Sequence, residues 1–381
     1  MRITSQAWSA NVLHRLLIWR RARHQVGDLP RRGEQAAMLA LLLLLLCSCL
    51  PAPGDAILPQ ATASPASAWW SAYFSDPQGP TAVTLQGGPD AALAQAIDAA
   101  RYSVDVAVYH FNLWSVRDAL LRAQQRGVTV RFVTESDDIL EPEVQELQAA
   151  GIPVLGDRRE TLMHHKFVVI DRIEVWTGSM NLTVGSAYRD DNNLLRIFSS
   201  EVAEDYTREF EEMFLEDRFG ALSLADTPFP HVMVDGSLVE VYFSPDDGIA
   251  YRLVELIRGA QESIDFLAYS FTLDALSAAL LERALDGVTV RGVLEYSQAD
   301  NAGSDFTVLR QAGLDVRRDA NQGNMHHKVI VIDGSIVVTG SYNFSRSAEE
   351  SNDENVVVVH DAALAYLYLQ EFERLFQSAV K

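Results

Sequence analysis

One phrase occurs twice in this chain, 162 residues apart. The first copy runs His164, any residue, Lys166, four apolar residues, Asp171, six residues, then Gly178-Ser179-any-Asn181. The second runs His326, any residue, Lys328, four apolar residues, Asp333, six residues, then Gly340-Ser341-any-Asn343. Both open with Met-His-His-Lys. The likeness reaches far upstream. Arg101–Asp105 answers to Gln261–Asp265, Tyr109 and Phe111 to Tyr269 and Phe271, Gly127–Arg131 to Gly287–Arg291, and Glu135 to Glu295. A repeat of this length restricts the fold to two copies of one structural plan.

Each copy reads helix (Ala91–Ala100; Arg252–Ala260), strand (Ser103–Phe111; Ser263–Phe271), helix (Ser115–Arg126; Leu273–Asp286) and strand (Thr129–Thr134; Thr289–Glu295). A further helix, the histidine strand, a Gly-Ser turn, another strand and a long closing helix complete it. Leu276, Leu280, Leu281 and Leu285 give the helical spacing, and Val128–Val133 and Val329–Ile332 are the apolar runs of central strands. Strands alternating with helices predict an α/β layered domain. The domains are placed at 69–230 and 237–381, with the break at Thr227-Pro228-Phe229-Pro230. Trp69, Trp70, Tyr73 and Phe74 fit packing at a domain edge better than a lipid-docking patch.

The front of the chain reads as an address. Ala36–Leu46 is wholly apolar, too short for the ~20 residues of a membrane span. Arginines precede it and small residues follow it, as in an export signal. Leu46-Cys47-Ser48-Cys49 resembles a bacterial lipobox, which implies a signal peptide over 1–48, cleavage before Cys49 and lipid on its sulfur. An ordinary cleaved signal is the alternative, and Met38 offers a second start. Residues 49–68 would hold the anchor and a flexible tether rich in Pro, Ala and Ser. The implied location is the extracytoplasmic face of a bacterial membrane.

Charge narrows the class of partner. The chain carries 31 Lys+Arg against 52 Asp+Glu, a net charge of −21, although residues 1–48 are basic. Such a field weighs against a general nuclease, because nonspecific nucleic-acid binding relies on basic residues displacing counterions. Cys47 and Cys49 are the two cysteines, so residues 50–381 contain no disulfide or thiolate metal site. No acidic cluster at metal-ligand spacing is seen, and neither metal nor cofactor is expected.

Alternate residues of a strand share a face, so His164 and Lys166 point together, as do His326 and Lys328. His165 and His327 point away and are expected to be packing or surface residues. A neutral imidazole can attack phosphorus, a second can shuttle the proton, and lysine and asparagine N–H groups can hold the non-bridging oxygens. The doubled pattern resembles the phospholipase D superfamily over about residues 69–379. That resemblance implies two tandem α/β/α sandwich domains related by a pseudo-twofold axis, with one metal-independent active site at their interface.

The resemblance also implies catalytic roles for His164, Lys166, Asn181, His326, Lys328 and Asn343. Ser179 and Ser341 are expected at the substrate, and Asp171 and Asp333 as structural members of the motif. The second half carries Asn352-Asp353-Glu354-Asn355, and Glu354 lies where the family places a carboxylate behind a catalytic imidazole. The position matching Glu354 in the first half is Asn192. On that difference Glu354 is expected to hold His326 as the acid/base, leaving His164 as nucleophile, with Asp190 or Asp191 able to serve His164 if the loop shifts. The expected enzyme is a monomeric phosphodiesterase of phospholipase D type, cleaving glycerophospholipid to phosphatidate and alcohol through a phosphohistidine. An extracytoplasmic endonuclease and a cardiolipin synthase-like phosphatidyltransferase are the alternatives.

Overall fold

The computed structural model describes residues 69–159 and 161–381. The signal at 1–48, the lipidation residue Cys49 and the tether to residue 68 lie outside the described residues.

The first half builds a seven-stranded sheet from β1 (Trp70–Phe74), β2 (Ser103–Val108), β3 (Thr129–Thr134), β4 (Val154–Gly156), β5 (Lys166–Ile170), β6 (Glu174–Gly178) and β7 (Asn193–Phe198). Their order across the sheet is β1-β7-β6-β5-β2-β3-β4. The second half contributes β8 (His231–Val234), β9 (Ser237–Ser244), β10 (Ser263–Ala268), β11 (Thr289–Leu294), β12 (Asp315–Arg318), β13 (Lys328–Ile332), β14 (Ile336–Gly340) and β15 (Glu354–His360). Here the order is β12-β11-β10-β13-β14-β15-β9-β8. The parallel pairs β2–β3 and β10–β11 continue on their other side into antiparallel ladders through the histidine strands β5 and β13. Among the described residues β8 is the one strand without a counterpart. It extends the second half back to His231, ahead of the expected start at 237.

Three cores alternate with the two sheets. Outside the first sheet, α1 (Pro89–Ala99) and α2 (Trp114–Gln125) bury Leu93, Ile97, Val116 and Leu120 against Val104, Val106 and Val108. Outside the second, α4 (Ile249–Gly259) and α5 (Asp274–Leu285) do the same with Leu253, Ile257, Leu276 and Leu280. Between the sheets lie α3 (Ser200–Glu216) and α6 (Ala362–Ser378). Ser199 caps α3 by accepting from the Val202 amide, and Val202, Ala203, Tyr206, Phe210 and Met213 then recur at helical spacing as its buried stripe.

This central core belongs to both halves, since it holds Phe167 and Val169 of β5 together with Val329 and Val331 of β13. The aromatic contacts are exchanged across it. Tyr206 of α3 meets Phe243 of β9 at 5.2 Å between ring centroids, and Tyr368 of α6 meets Phe74 of β1 at 5.0 Å. Full burial of one such ring contributes roughly 1.5–3 kcal/mol. The expected sandwiches therefore share their inner layer, which fixes the two halves against each other. Trp69 and Trp70 are buried in the same core, as expected of packing residues.

The Asp171 and Asp333 carboxylates make no ion pair among the described residues. Each sits just past its histidine strand with φ of 53° and 49°, and its carboxylate accepts from three backbone N–H groups. For Asp171 these belong to Arg101, Tyr102 and Ser103; for Asp333, to Gln261, Glu262 and Ser263. They lock the turn before β2 and β10. Among the described residues no helix is long and apolar enough to cross a membrane.

Candidate active site

Each motif histidine precedes its strand by two residues, and each is tied to the opposite half. The His164 amide donates to the carbonyl of Asp353 at 2.9 Å, where β15 begins. The His326 amide donates to the carbonyl of Asp191 at 2.8 Å, just ahead of β7. Bridges Met163–Asp353 and Asp191–Met325 continue the exchange. The two imidazoles thus converge on the pseudo-twofold axis, near enough that both lysines act electrostatically on both rings. Tyr109 packs on His164 and Tyr269 on His326, each at 4.7 Å.

The side-chain partners are crossed as well, which corrects the pairing expected from sequence. Glu354 does not hold His326. Its Oε2 lies 2.6 Å from Nδ1 of His164, across the interface. His326 instead places Nδ1 2.9 Å from Asn192 Oδ1 and 3.0 Å from the carbonyl of Ser179. Asp190 and Asp191 do not serve His164 either: Asp191 is bound to Arg374 at 2.6 Å, and Asp190 accepts from the amide of Asn324. The spacing of 28 residues is the same in both halves, and the twofold axis swaps the partners.

Ser179 and Ser341 are also corrected. Both are fully buried, and their hydroxyls brace Asn193 and Asn355 by accepting from the backbone N–H and the side-chain Nδ2. Ser179 also donates to Asn192 Oδ1 at 2.9 Å, so it positions the partner of His326. Asn181 and Asn343 are half-buried, and their buried Oδ1 atoms have no partner among the described residues.

His165 and His327 are fully buried packing residues. Nε2 of His165 meets Glu209 at 2.8 Å, and Nε2 of His327 meets Glu371 at 3.1 Å. Their Nδ1 atoms face the Nδ2 groups of Asn355 and Asn193, again across the halves. Sequence reasoning named Asn355 within its motif without giving it a role, and did not single out Asn193, Glu209, Glu371 or Arg374. Four of these five were readable, because Asn193/Asn355 and Glu209/Glu371 are identical at the 162-residue offset.

Burial sets the electrostatics of the site. It pushes Lys166 down to about 7 and Lys328 well below the usual lysine range, with Lys166 further opposing the charge on Lys328. Burial first, and then the ammonium groups, hold both His164 and His326 well below the ordinary imidazole value. Burial also lifts Glu354 to about 7, while Lys166 pulls it back toward the anion. Each lysine donates to the carbonyl of its own histidine at 2.8 Å and keeps further protons for a ligand.

An oxyanion entering this space restores the lysine charges. Binding must therefore take up protons above pH 7, so affinity falls as pH rises. Titration calorimetry with tungstate between pH 6 and 9 is expected to show at least about tenfold weaker binding at the alkaline end, with buffer-dependent heats of proton uptake. Affinity that does not change with pH would contradict this.

A family model described as cardiolipin synthase, PLD-like domain, matches residues 93–214 and again 253–376, together more than half of the chain. The chain belongs to the phospholipase D-like family. Within that family's reach, the mitochondrial cardiolipin hydrolase of Xenopus tropicalis is 38% identical over 131 residues, 34% of this chain and 62% of the relative. The phospholipase D of Rickettsia prowazekii (strain Madrid E) is 39% identical over 136 residues, 36% of this chain and 66% of the relative. The chain therefore spans under two thirds of the length of these relatives. The solved structure of phosphatidylserine synthase from Haemophilus influenzae Rd KW20 shares the fold, with a TM-score of 0.60 over 76% of this chain and 84% of that one at 14% identity.

Proposed function

We propose that this phospholipase D-like chain is a phosphodiesterase that cleaves a glycerophospholipid through a phosphohistidine, with His164 as nucleophile and His326 as acid/base. The observation that carries it is the crossed pairing of the two imidazoles with unlike partners, Glu354 and Asn192.

With Glu354 ionised and accepting from Nδ1–H, His164 presents the lone pair of Nε2. Attack forms the Nε2–P bond and breaks the bond from phosphorus to the leaving oxygen. The ring becomes a cationic phosphoimidazolium, and a carboxylate 2.6 Å away stabilises that charge as it appears. The roles proposed from sequence are retained, but for a different reason: the carboxylate backs the nucleophile.

The bound phosphodiester anion offsets the burial and the lysine charge that otherwise keep His326 neutral, so His326 carries the proton that it donates to the leaving oxygen. It then removes a proton from water, which attacks phosphorus and releases His164. A neutral amide behind His326 does not hold the proton as a carboxylate would. His326 is also more exposed than His164, which suits a group that exchanges protons with solvent. Lys166, Lys328, Asn181 and Asn343 supply donors to the non-bridging oxygens.

The lipid reading draws on net charge and on the names of the relatives, and on attachment through Cys49 as the means of staying at a membrane. Purified protein in EDTA should release phosphatidate from phospholipid vesicles and leave plasmid DNA unnicked. Nicking without phosphatidate release would replace the lipid reading with a nuclease.

A further inference from the structure

Tyr109 and His110 follow directly on β2, which ends at Val108. Consecutive side chains of an extended strand point to opposite faces and do not meet. Here they do meet: the two ring centroids lie 3.8 Å apart. Tyr109 in turn packs on His164 at 4.7 Å, and its ring centroid lies 5.3 Å from the Lys166 ammonium. A single aromatic ring therefore separates His110 from the imidazole and the cation of the first motif.

Asp138 is what folds His110 back onto Tyr109. One oxygen of its buried carboxylate lies 2.8 Å from Nδ1 of His110, and the other accepts from the Phe111 amide at 2.9 Å. A carboxylate only accepts, so Nδ1 carries the hydrogen and the ring is held by it. One side chain thus grips both the imidazole and the backbone that follows it. Phe111 also bridges Leu182, the residue after Asn181, so the grip is anchored on the motif loop.

The second half departs from this arrangement at both positions while keeping their neighbours. Tyr269 packs on His326 at 4.7 Å, and its ring centroid lies 4.9 Å from the Lys328 ammonium. Glu295 holds the Met325 amide as Glu135 holds that of Met163. Yet the residues matching His110 and Asp138 are Ser270 and Gln298, and Gln298 places Nε2 3.4 Å from the Tyr269 hydroxyl. The His110 side chain is 41% exposed, and an ion pair so open to water adds little to stability. Stability alone does not account for the pair.

We infer that His110 is a positioning residue for the nucleophile: oriented by Asp138, its ring holds Tyr109 against His164 and Lys166. The inference rests on the proposed role of His164. In-line attack needs the reacting atoms held about 3–3.5 Å apart, and a misplacement of about 1 Å can cost 10² in rate. His326 serves first a leaving oxygen and then a water, so its ring is not bound to one position.

The test follows the burst of p-nitrophenolate from bis(p-nitrophenyl) phosphate by stopped flow in a His326→Asn background, which reads the first chemical step alone. His110→Ser copies the residue of the second half, so the variant should fold, as circular dichroism checks. Its saturating burst rate should fall about tenfold or more, with the half-saturating substrate concentration unchanged. His110→Phe returns an aromatic face to Tyr109 and should be at least about threefold faster than His110→Ser. His110→Asn can bond Asp138 but offers no ring, and should be as slow as His110→Ser; Ser270→Ala should leave the burst unchanged. An unchanged burst in His110→Ser, a loss carried in substrate affinity, or a His110→Phe protein as slow as His110→Ser overturns the inference while the role of His164 stands. No burst in the His326→Asn protein itself overturns that role and the inference together.

Discussion

Glu354→Gln is expected to lower kcat by about 10²–10³ with little change in KM, the cost of removing one preorganised electrostatic stabiliser. Glutamine still offers an oxygen to Nδ1–H of His164, so ring orientation and tautomer survive. What is lost is the negative charge that offsets the phosphoimidazolium. Glu354 also raises the affinity of Lys166 and Lys328 for their protons, so the variant should hold fewer positive charges at neutral pH. Its activity should therefore fall off at lower pH than in wild type on the alkaline side. Steady-state kinetics from pH 5 to 9, with circular dichroism to verify folding, checks both parts. An equal loss carried entirely in KM would show that Glu354 serves binding alone.

Arg374→Met is expected to destabilise the fold by about 3 kcal/mol at pH 8, the lower end for breaking a buried ion pair, because the Arg374 side chain is 37% exposed. Its guanidinium holds Asp191 and Glu371, both buried, at 2.6 Å each. Through them it secures the backbone that carries His326 and the ring of His327. Burial raises Glu371, but the Arg374 hydrogen bonds outweigh it and leave the group below its usual value. Burial already holds Asp191 above its usual value despite Arg374; without Arg374 it would rise further, and Glu371 would rise above its unfolded value. The part of the variant's stability that these two carboxyls set would then be fully present below about pH 4 and lost as pH climbs through the raised values. The gap from wild type, measured by urea unfolding, should accordingly shrink at pH 4. A gap that widens on acidification would contradict this account.

The first half meets the same need differently. Glu212 stands at the position matching Arg374, beside Glu209 and Asp353. Burial pushes Glu212 up to about 8, and Glu209 and Asp353 well above their usual range. The Glu212 carboxyl accepts from the Leu224 amide and that of Asp353 from the Gly220 amide, both in the segment joining the halves. Burial thus favours the protonated form of these carboxyls on this side of the interface, where the other side uses an arginine.

The repeated phrase made the α/β plan, the doubled halves and the motif side chains legible in sequence, since strand alternation and helical spacing are local properties. The crossing of partners was not legible. Glu354 is 28 residues from His326 and 190 from His164, and no local pattern says that a twofold axis will make the remote ring the nearer one. The buried partners of Ser179 and Ser341 were not legible for a related reason: a hydroxyl beside a motif asparagine reads as a ligand until the buried Asn193 and Asn355 that it braces are seen. The two closing helices were expected, but their meeting in one shared layer was not, because an amphipathic stripe does not reveal which sheet, or how many, it will cover.

The most direct measurement is a rapid-quench experiment with bis(p-nitrophenyl) phosphate, whose leaving group needs no acid. His326→Asn should release one equivalent of p-nitrophenolate per chain and then stall, with an acid-labile phosphoryl group on His164, while His164→Asn should release none. A stalled adduct on His326 in the His164→Asn protein, or no adduct in either variant, would contradict the assignment of His164 as the nucleophile.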